Sequence, residues 1–364
     1  MRVANRHTQG QPAGLPRVSV ATTTYRHEAF IGDAIEGVLM QDTDFPVEMV
    51  IGEDCSPDGT RSVIQKYMQK YPGLIRLSNY ERNVGSARNS LMTIGRCRGE
   101  YIALLDGDDY WTAPHKLRKQ VDLLDRDHAF SMCFHAVNRV RGNCIVKKIV
   151  QPTGHRSVYR LADLAHWVNI STSSMLFRRS AVPRFPSWYS KVTQGDWATQ
   201  MLLAEKGDIA YIPEIMATHR LHETNVWSGR LRPRSEVLRE QIREVEEFRR
   251  HLGDARARPF ERSQYRRRYE LVHVFLDEGK LLQAQKTLQA CYGASGYNPR
   301  VDLLEPWLCL LHMRAPRLYE LLHMDAILLN RMLHRAWGRF VRPVLEMRRP
   351  WVECRRPRER DRHA

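Results

Sequence analysis

Apolar residues over the first hundred positions follow two alternating rhythms. Short dense runs, Val18-Ser-Val-Ala-Thr-Thr, Val47 to Gly52, Ile75-Arg-Leu and Tyr101-Ile-Ala-Leu-Leu, read as near-continuous apolar strands of a sheet covered on both faces, the first ending in small polar residues. Between them apolar residues recur at helical spacing. Ile31, Ala34, Ile35, Val38 and Leu39 form one such set; Val63, Ile64 and Tyr67 form the next, behind a Thr60 suited to capping. A third helix is expected from Gly85 to Arg98. Strict alternation of this kind predicts a mostly parallel sheet with helices on both faces. After Asp109 the rhythm loosens. Phe130 to Val137 and Ser173 to Arg178 read as strands, Thr199 to Glu205 as a helix, and Asp208 to Ile212 and Ile215 to His219 as two short strands. From about Arg230 the strands stop. Helices rich in Arg and Glu are expected over Val237 to Leu252 and Gln264 to Glu278, and further helices over Lys280 to Cys291, Leu308 to Met313 and Tyr319 to Trp337. The organisation predicted is a flexible N-terminus over 1–16, an α/β domain over 17–229, a basic helical region over 230–347 and a disordered Arg-rich tail over 348–364.

Composition changes this picture little, and charge changes it more. Hydrophobic residues at 43% and charged residues at 27% are those of an ordinary globular protein. The formal net charge of +16, concentrated after residue 229, calls for an anionic partner such as a nucleotide, a nucleic acid or an anionic membrane surface. Surplus arginine that only keeps the chain in solution is the plain alternative. Seven cysteines, at 55, 97, 133, 144, 291, 309 and 354, are odd in number and form no CxxC, which argues for reduced thiols and against a disulfide framework or a zinc site. Met1 to Pro16 is polar and broken by Gly and Pro, unlike a secretory signal, and no run approaches the roughly 18 apolar residues of a spanning helix. A cytoplasmic location is expected. Arginines interleaved with Trp307, Trp337 and Phe340 suit either peripheral contact with the anionic inner face of the cell membrane or a homodimer through the C-terminal helices.

The chemistry concentrates in Leu104-Leu105-Asp106-Gly107-Asp108-Asp109. An apolar strand delivers three carboxylates to its carboxyl end, where open α/β sheets bind ligands. Neighbouring anions repel, and they coexist either in water or around a cation. Hard divalent ions take oxygen ligands, commonly one or two carboxylates plus substrate phosphates. A solvated acidic turn is the competing reading.

The surrounding segments resemble the family 2 glycosyltransferases, inverting enzymes of the GT-A nucleotide-diphospho-sugar transferase fold. Val18-Ser-Val-Ala-Thr-Thr-Thr-Tyr-Arg-His-Glu-Ala-Phe-Ile is similar to their first strand and nucleotide loop. Val50-Ile-Gly-Glu-Asp-Cys-Ser-Pro-Asp-Gly-Thr resembles their second strand and acidic turn, with Cys55 where relatives often have Gly. Asn83-Val-Gly-Ser-Ala-Arg-Asn, Gly99 to Asp109, Gly195-Asp-Trp, His219-Arg-Leu-His and Trp227-Ser-Gly follow in the family's order over about residues 16 to 230. The likeness stops there.

The resemblance implies roles for individual positions. Thr22, Thr24 and Glu28 would line the nucleotide, and Asp54 would accept from the base, which favours uracil or thymine over adenine; a turn-capping role is the alternative for Asp54. Arg88 would pair with the diphosphate or hold the acidic cluster. Asp106 would contact the ribose, while Asp108, with Asp109 and His222, would hold Mn2+ or Mg2+. Asp196 would be the catalytic base, with an N-cap as its alternative. Trp197 would form an apolar wall and Trp227 would sit in a loop closing over the donor. The implied activity is metal-assisted, non-processive transfer from a nucleotide-sugar, a UDP-sugar by preference, to a hydroxyl of a glycan or lipid-linked acceptor. Two rival readings are a sugar-phosphate nucleotidyltransferase and a basic nucleic-acid-binding protein. The first lacks its Gly-rich basic loop and the second lacks any recognisable nucleic-acid motif, so no nucleic-acid partner is expected.

Overall fold

Within the first strand, β1 (Val18–Thr24), Val18 and Val20 join one apolar core while Ala21 joins another. The same split by alternate residues recurs in β2 (Val47–Glu53), with Met49 and Ile51 against Val50. It recurs again in β4 (Tyr101–Asp106), with Tyr101, Ala103 and Leu105 against Ile102 and Leu104. Strands apolar on both faces therefore sit between two helical layers, as their density predicts. One layer holds α1 (Ile31–Leu39), α2 (Thr60–Lys70) and α4 (Lys116–Arg126). The other holds α3 (Ser86–Gly95), α5 (Leu161–Leu164), α6 (Gly195–Ala204), α7 (Arg234–Leu252) and the first part of α8 (Asp254–Asp277). Each fully buried Val, Ile or Leu contributes roughly 1.5–3 kcal/mol.

These facts come from a computed structural model that describes residues 14–292 apart from 143, 151–155, 166–169, 183–184, 194 and 223–231. The remaining strands are β3 (Ile75–Asn79), β5 (Tyr110–Trp111), β6 (Phe130–Arg141), β7 (Cys144–Val150), β8 (Val158–Tyr159), β9 (Leu176–Arg178) and β10 (Asp208–Arg220). Among the described residues they form one sheet in the order β3-β2-β1-β4-β9-β6-β10-β5, with β7 beside β6 and β8 beside β10. β3, β2, β1 and β4 are mutually parallel; β9 is antiparallel to both β4 and β6; β10 is parallel to β6. Two pairings position the site. Thr23 stands opposite Asp106, which sets the ends of β1 and β4 side by side. β5 pairs antiparallel with Ala217 and Thr218, which draws the end of β10 onto the turn that follows β4.

The structure departs from the sequence expectations in several places. The two short strands expected over 208–219 are one strand, β10, which passes Pro213 through register shifts between Ile212 and Ile215. A bulge lets the chain skip a donor that proline lacks without ending the pairing. Thr60 is not the cap of α2; Gly59 holds that position with no side-chain cap. The Thr60 hydroxyl instead donates to Asp58 (2.6 Å) and accepts from the His27 amide (2.9 Å). Helix α6 begins at Gly195, so Asp196 lies in its first turn, and α8 begins at Asp254 and runs through Pro259. Strands β5, β7 and β8 were not foreseen because their apolar residues are too few to show a period, whereas helix α4, with Leu117, Val121 and Leu124 at helical spacing, carries a period that the sequence reading passed over.

Val245 and Phe248 of α7 and Phe260 of α8 pack into the same core as Trp197 and Met201 of α6. Helix α9 (Leu281–Tyr292) buries Ala284 and Leu288. The helices expected over 308–313 and 319–337, the tail over 348–364 and the first 13 residues lie outside the described residues. Among the described residues no helix is long and apolar enough to cross a membrane, and Cys55, Cys97, Cys133 and Cys144 are free thiols.

Candidate active site

The acidic strand end is folded tightly against β1. Thr23 Oγ1 donates to Asp106 Oδ1 (3.1 Å), and the Gly107 amide donates to the Thr23 carbonyl (2.9 Å). Only glycine fits at 107: a Cβ there would meet Thr24 Oγ1 at 2.6 Å and His27 Nδ1 at 3.0 Å. The turn then separates the three carboxylates. Asp109 is buried and points at β10, accepting from the Arg220 amide (2.9 Å) with His219 Nδ1 at 3.2 Å. It therefore ties the turn to β10 and is not among the ligand atoms that gather at Asp108.

Asp108 Oδ2 lies 2.9 Å from His222 Nε2 and 3.7 Å from His27 Nε2. The candidate ligand atoms of His27, Asp108 and His222 all fall within 4.8 Å of one another. Phe30 packs on the His222 ring, with centroids 4.6 Å apart. Arg220 fastens this corner. Its guanidinium donates to the Asp108 carbonyl (3.0 Å) and to Asp33 of α1 (2.7 Å), and lies over the rings of Phe30 and Tyr110. Sequence reasoning did not single out His27 or Arg220. No spacing links His27 to an aspartate more than eighty residues on, and Arg220 drew no notice beside its two histidines.

The charges are not independent. Burial pushes the Asp106 carboxyl up to about 8, helped by the charges of Asp108, Asp109 and Asp196 and opposed by the Thr23 hydroxyl. Burial also pushes Asp108 up, but the hydrogen bond from His222 and the charge of His27 outweigh it, and the carboxyl is held below the usual range. His27 is pushed down by burial against the pull of Asp108. For His219 burial acts downward, yet the charge and hydrogen bond of Asp109 win and raise it. Burial raises the Asp196 carboxyl; the Trp197 amide, donating to Asp196 Oδ1 at 2.8 Å, and the charge of His219 oppose it. Asp196 thus shares an electrostatic field with Asp106 and His219, although α6 and β4 are far apart in sequence.

The other expected site residues are placed as follows. Thr22 and Thr24 are buried at the end of β1, and neither hydroxyl has a partner. Glu28 is exposed and accepts from the Gly59 amide (2.9 Å). Asp54 is buried at the end of β2, where its carboxylate accepts from the amides of Val84 (2.7 Å) and Gly85 (3.0 Å). It holds the loop that opens α3, and each oxygen keeps a second lone pair. Cys55 beside it has φ +58°, as Arg26 has φ +60° after β1. Both are left-handed conformations that cost a side-chain-bearing residue on the order of 1 kcal/mol. Arg88 is exposed on α3, with no ion pair among the described residues. Trp197 is buried in the core, its Nε1 donating to the Leu164 carbonyl (3.3 Å), and does not line an open wall. Trp227 lies outside the described residues.

The donor set fits a divalent ion. Two imidazoles and a carboxylate converge, a second carboxyl stands two residues away, and the buried Thr24 Oγ1 and His27 Nδ1 nearby lack hydrogen-bond partners.

Comparison with known proteins agrees with this reading of the fold. The model of glycosyl transferase family 2 matches residues 19–185. An uncharacterised protein of Mycobacterium tuberculosis (strain ATCC 25618 / H37Rv) is 35% identical over 210 residues, a stretch that is 58% of this chain and 60% of that protein. The chain thus spans less than two thirds of that relative's length. A Bacillus subtilis (strain 168) protein assigned to teichuronic acid biosynthesis, the glycosyltransferase TuaG, is 31% identical over 218 residues, covering 59% of this chain and 83% of TuaG. Among solved structures, S. aureus TarS 1–349 in complex with UDP-GlcNAc superposes with a TM-score of 0.59 at 19% identity, over 82% of this chain and 87% of that one. The architecture is therefore GT-A-like, a mixed and mostly parallel sheet followed by helices. With TuaG matched along most of its length and the family model covering the strands that build the acidic turn, this chain belongs to glycosyltransferase family 2.

Proposed function

We propose that the chain transfers a single sugar, with inversion, from a nucleoside diphosphate sugar to a hydroxyl of a glycan or lipid-linked acceptor. A UDP-sugar is the donor that suits the site. The observation that carries this reading is the meeting of Asp106, Asp108 and His222 at the end of β4 within the electrostatic reach of Asp196. Asp108 and His222 hold a divalent ion, Mn2+ or Mg2+, with Asp109 fixing the turn behind them. When bound, that ion supplies positive charge against the donor diphosphate. Thr22, Thr24, Asp54 and Arg88 line the nucleotide, and Asp106 takes the ribose. A lone pair left on Asp54 can accept from the N–H of uracil, a donor that adenine does not present on its ring. Its two backbone hydrogen bonds fix the carboxylate for that contact.

Asp196 is the base. As the acceptor oxygen attacks the anomeric carbon, its proton passes to the Asp196 carboxylate. The bond from that carbon to the diphosphate oxygen breaks, and its electron pair leaves with the nucleoside diphosphate. A raised carboxyl is a stronger base than an ordinary Asp, which suits the task. The pathway assigned to TuaG supports a cell-envelope polysaccharide as the acceptor class. The test is thermal stabilisation by a panel of nucleoside diphosphates with and without Mn2+. UDP together with Mn2+ should raise Tm most, and each should do less alone. Indifference to every nucleotide in the presence of metal would overturn the proposal.

A further inference from the structure

We infer that His27 is a third protein ligand of the divalent ion, and that this makes the site select a first-row transition ion such as Mn2+ over Mg2+. The inference rests on the metal reading of the preceding subsection. It goes beyond it, because that reading draws its ligands from the acidic turn and the end of β10 alone.

The His27 side chain is mostly buried, its ring set edge-on to those of Phe30 and His222. Its Nδ1 is buried with no hydrogen bond, and its Nε2 stands 3.7 Å from Asp108 Oδ2, too far for one. Buried polar groups of this kind are nearly always satisfied, and an exception asks for a reason. The backbone is arranged to put the ring there. Arg26 takes φ +60°, the His27 amide donates to Thr60 Oγ1 (2.9 Å), and the His27 carbonyl accepts from Phe30 (2.9 Å) and Ile31 (2.8 Å) to open α1. Strain held by several contacts at one residue is common where a side chain must be aimed.

The geometry suits one ion. The rings of His27 and His222 stand at 89°, and their nitrogens approach the same Asp108 oxygen from different directions. Ligand atoms about 2.0–2.2 Å from a common ion stand about 3–4 Å apart. The separations of 2.9 and 3.7 Å from Asp108, with all three atoms inside 4.8 Å, need only small side-chain movements to meet that. Two imidazoles with one carboxylate is a poor donor set for Mg2+, which prefers oxygen in an octahedral shell, and a good one for the transition ions.

The experiment is pulsed EPR of Mn2+ bound to the full-length chain, joined to Mn2+ and Mg2+ titrations of the wild type, His27→Ala and His27→Gln. Two directly bound imidazole nitrogens are expected in the wild type and one in either variant. Mn2+ affinity should fall about 10–100-fold in the variants, the scale seen when a metal's supporting ligands are removed, with Mg2+ affinity nearly unchanged. One bound nitrogen in the wild type, or an unchanged ratio of Mn2+ to Mg2+ affinity in both variants, overturns the role of His27 and leaves Asp108 and His222 in place. Absence of any Mn2+ binding to the wild type overturns the metal reading itself, and this inference with it.

Discussion

Individual side chains in the site are set by the company they keep. Three aspartates within four residues have three different fates: Asp106 stands beside the Thr23 hydroxyl, Asp108 meets two imidazoles, and Asp109 is spent on His219 and the Arg220 amide. The division follows from Gly107, the one residue that permits the turn to close on Thr24. Asp196→Asn should leave donor affinity within about twofold and cut kcat by about 10²–10⁴, the range for loss of a general base. Because burial raises the Asp196 carboxyl, kcat/KM should fall with acid from a higher pH than an ordinary Asp would give. Wild-type kcat in the Asn variant would place the base elsewhere. The acidic cluster could be read from its strand-end position, and Asp196 and His222 from the order of segments. His27 could not, since its neighbour in space is set by a turn after β1 and a turn after β4 that no local pattern connects.

Among the elements, the carboxyl ends of β1, β2 and β4 carry the proposed site, and their opposite ends carry a structural lock. Glu48 of β2 is buried and accepts from Ser19 Oγ (2.7 Å), the Arg98 amide (2.9 Å), the Arg98 guanidinium (2.7 Å) and Arg76 (3.1 Å). Burial pushes its carboxyl up, and the hydrogen bonds from Arg98, Ser19 and Arg76 outweigh that and hold it below the usual range. A carboxyl lowered in the folded state stabilises fully above its unfolded value of about 4.3, and the contribution is lost as pH falls through the folded value. Glu48→Gln should therefore cost about 1–3 kcal/mol at neutral pH and flatten the loss of stability below about pH 4, read from urea unfolding against pH. Nucleotide affinity should not change, because Glu48 lies at the far end of the sheet from Asp106. A variant as acid-sensitive as the wild type would remove Glu48 from that role. The parallel half of the sheet was legible because β1, β2 and β4 are apolar on both faces. Strand β5 was not, and β10 looked like two strands because Pro213 breaks its pattern without breaking its pairing.

At the scale of the whole molecule, the helices after residue 232 complete a core that the sheet alone leaves open. Phe248 stands against Trp197, whose helix begins with the proposed base beside it, and Phe260 packs on Phe248. Trp197 was expected at the donor and is instead the link between α6 and this helical layer, since its indole finds the Leu164 carbonyl inside the core. The basic excess drew attention to anionic surfaces, yet many of its arginines are already paired, Arg232 with Glu236 and Glu240 and Arg249 with Glu246. Charge counted along a sequence overstates the positive surface wherever helical neighbours neutralise it. What the fold brings together is the side-chain cluster at the end of β4, and the central claim concerns that cluster. The most direct measurement is release of UDP from UDP-sugars by the full chain in Mn2+, comparing the wild type with Asp108→Asn. We expect metal-dependent release by the wild type on at least one UDP-sugar, and a fall of roughly 100-fold or more in the variant, the loss expected when a charge-stabilising group is removed. Release by the Asp108→Asn protein at the wild-type rate, with the same dependence on metal, would contradict the account.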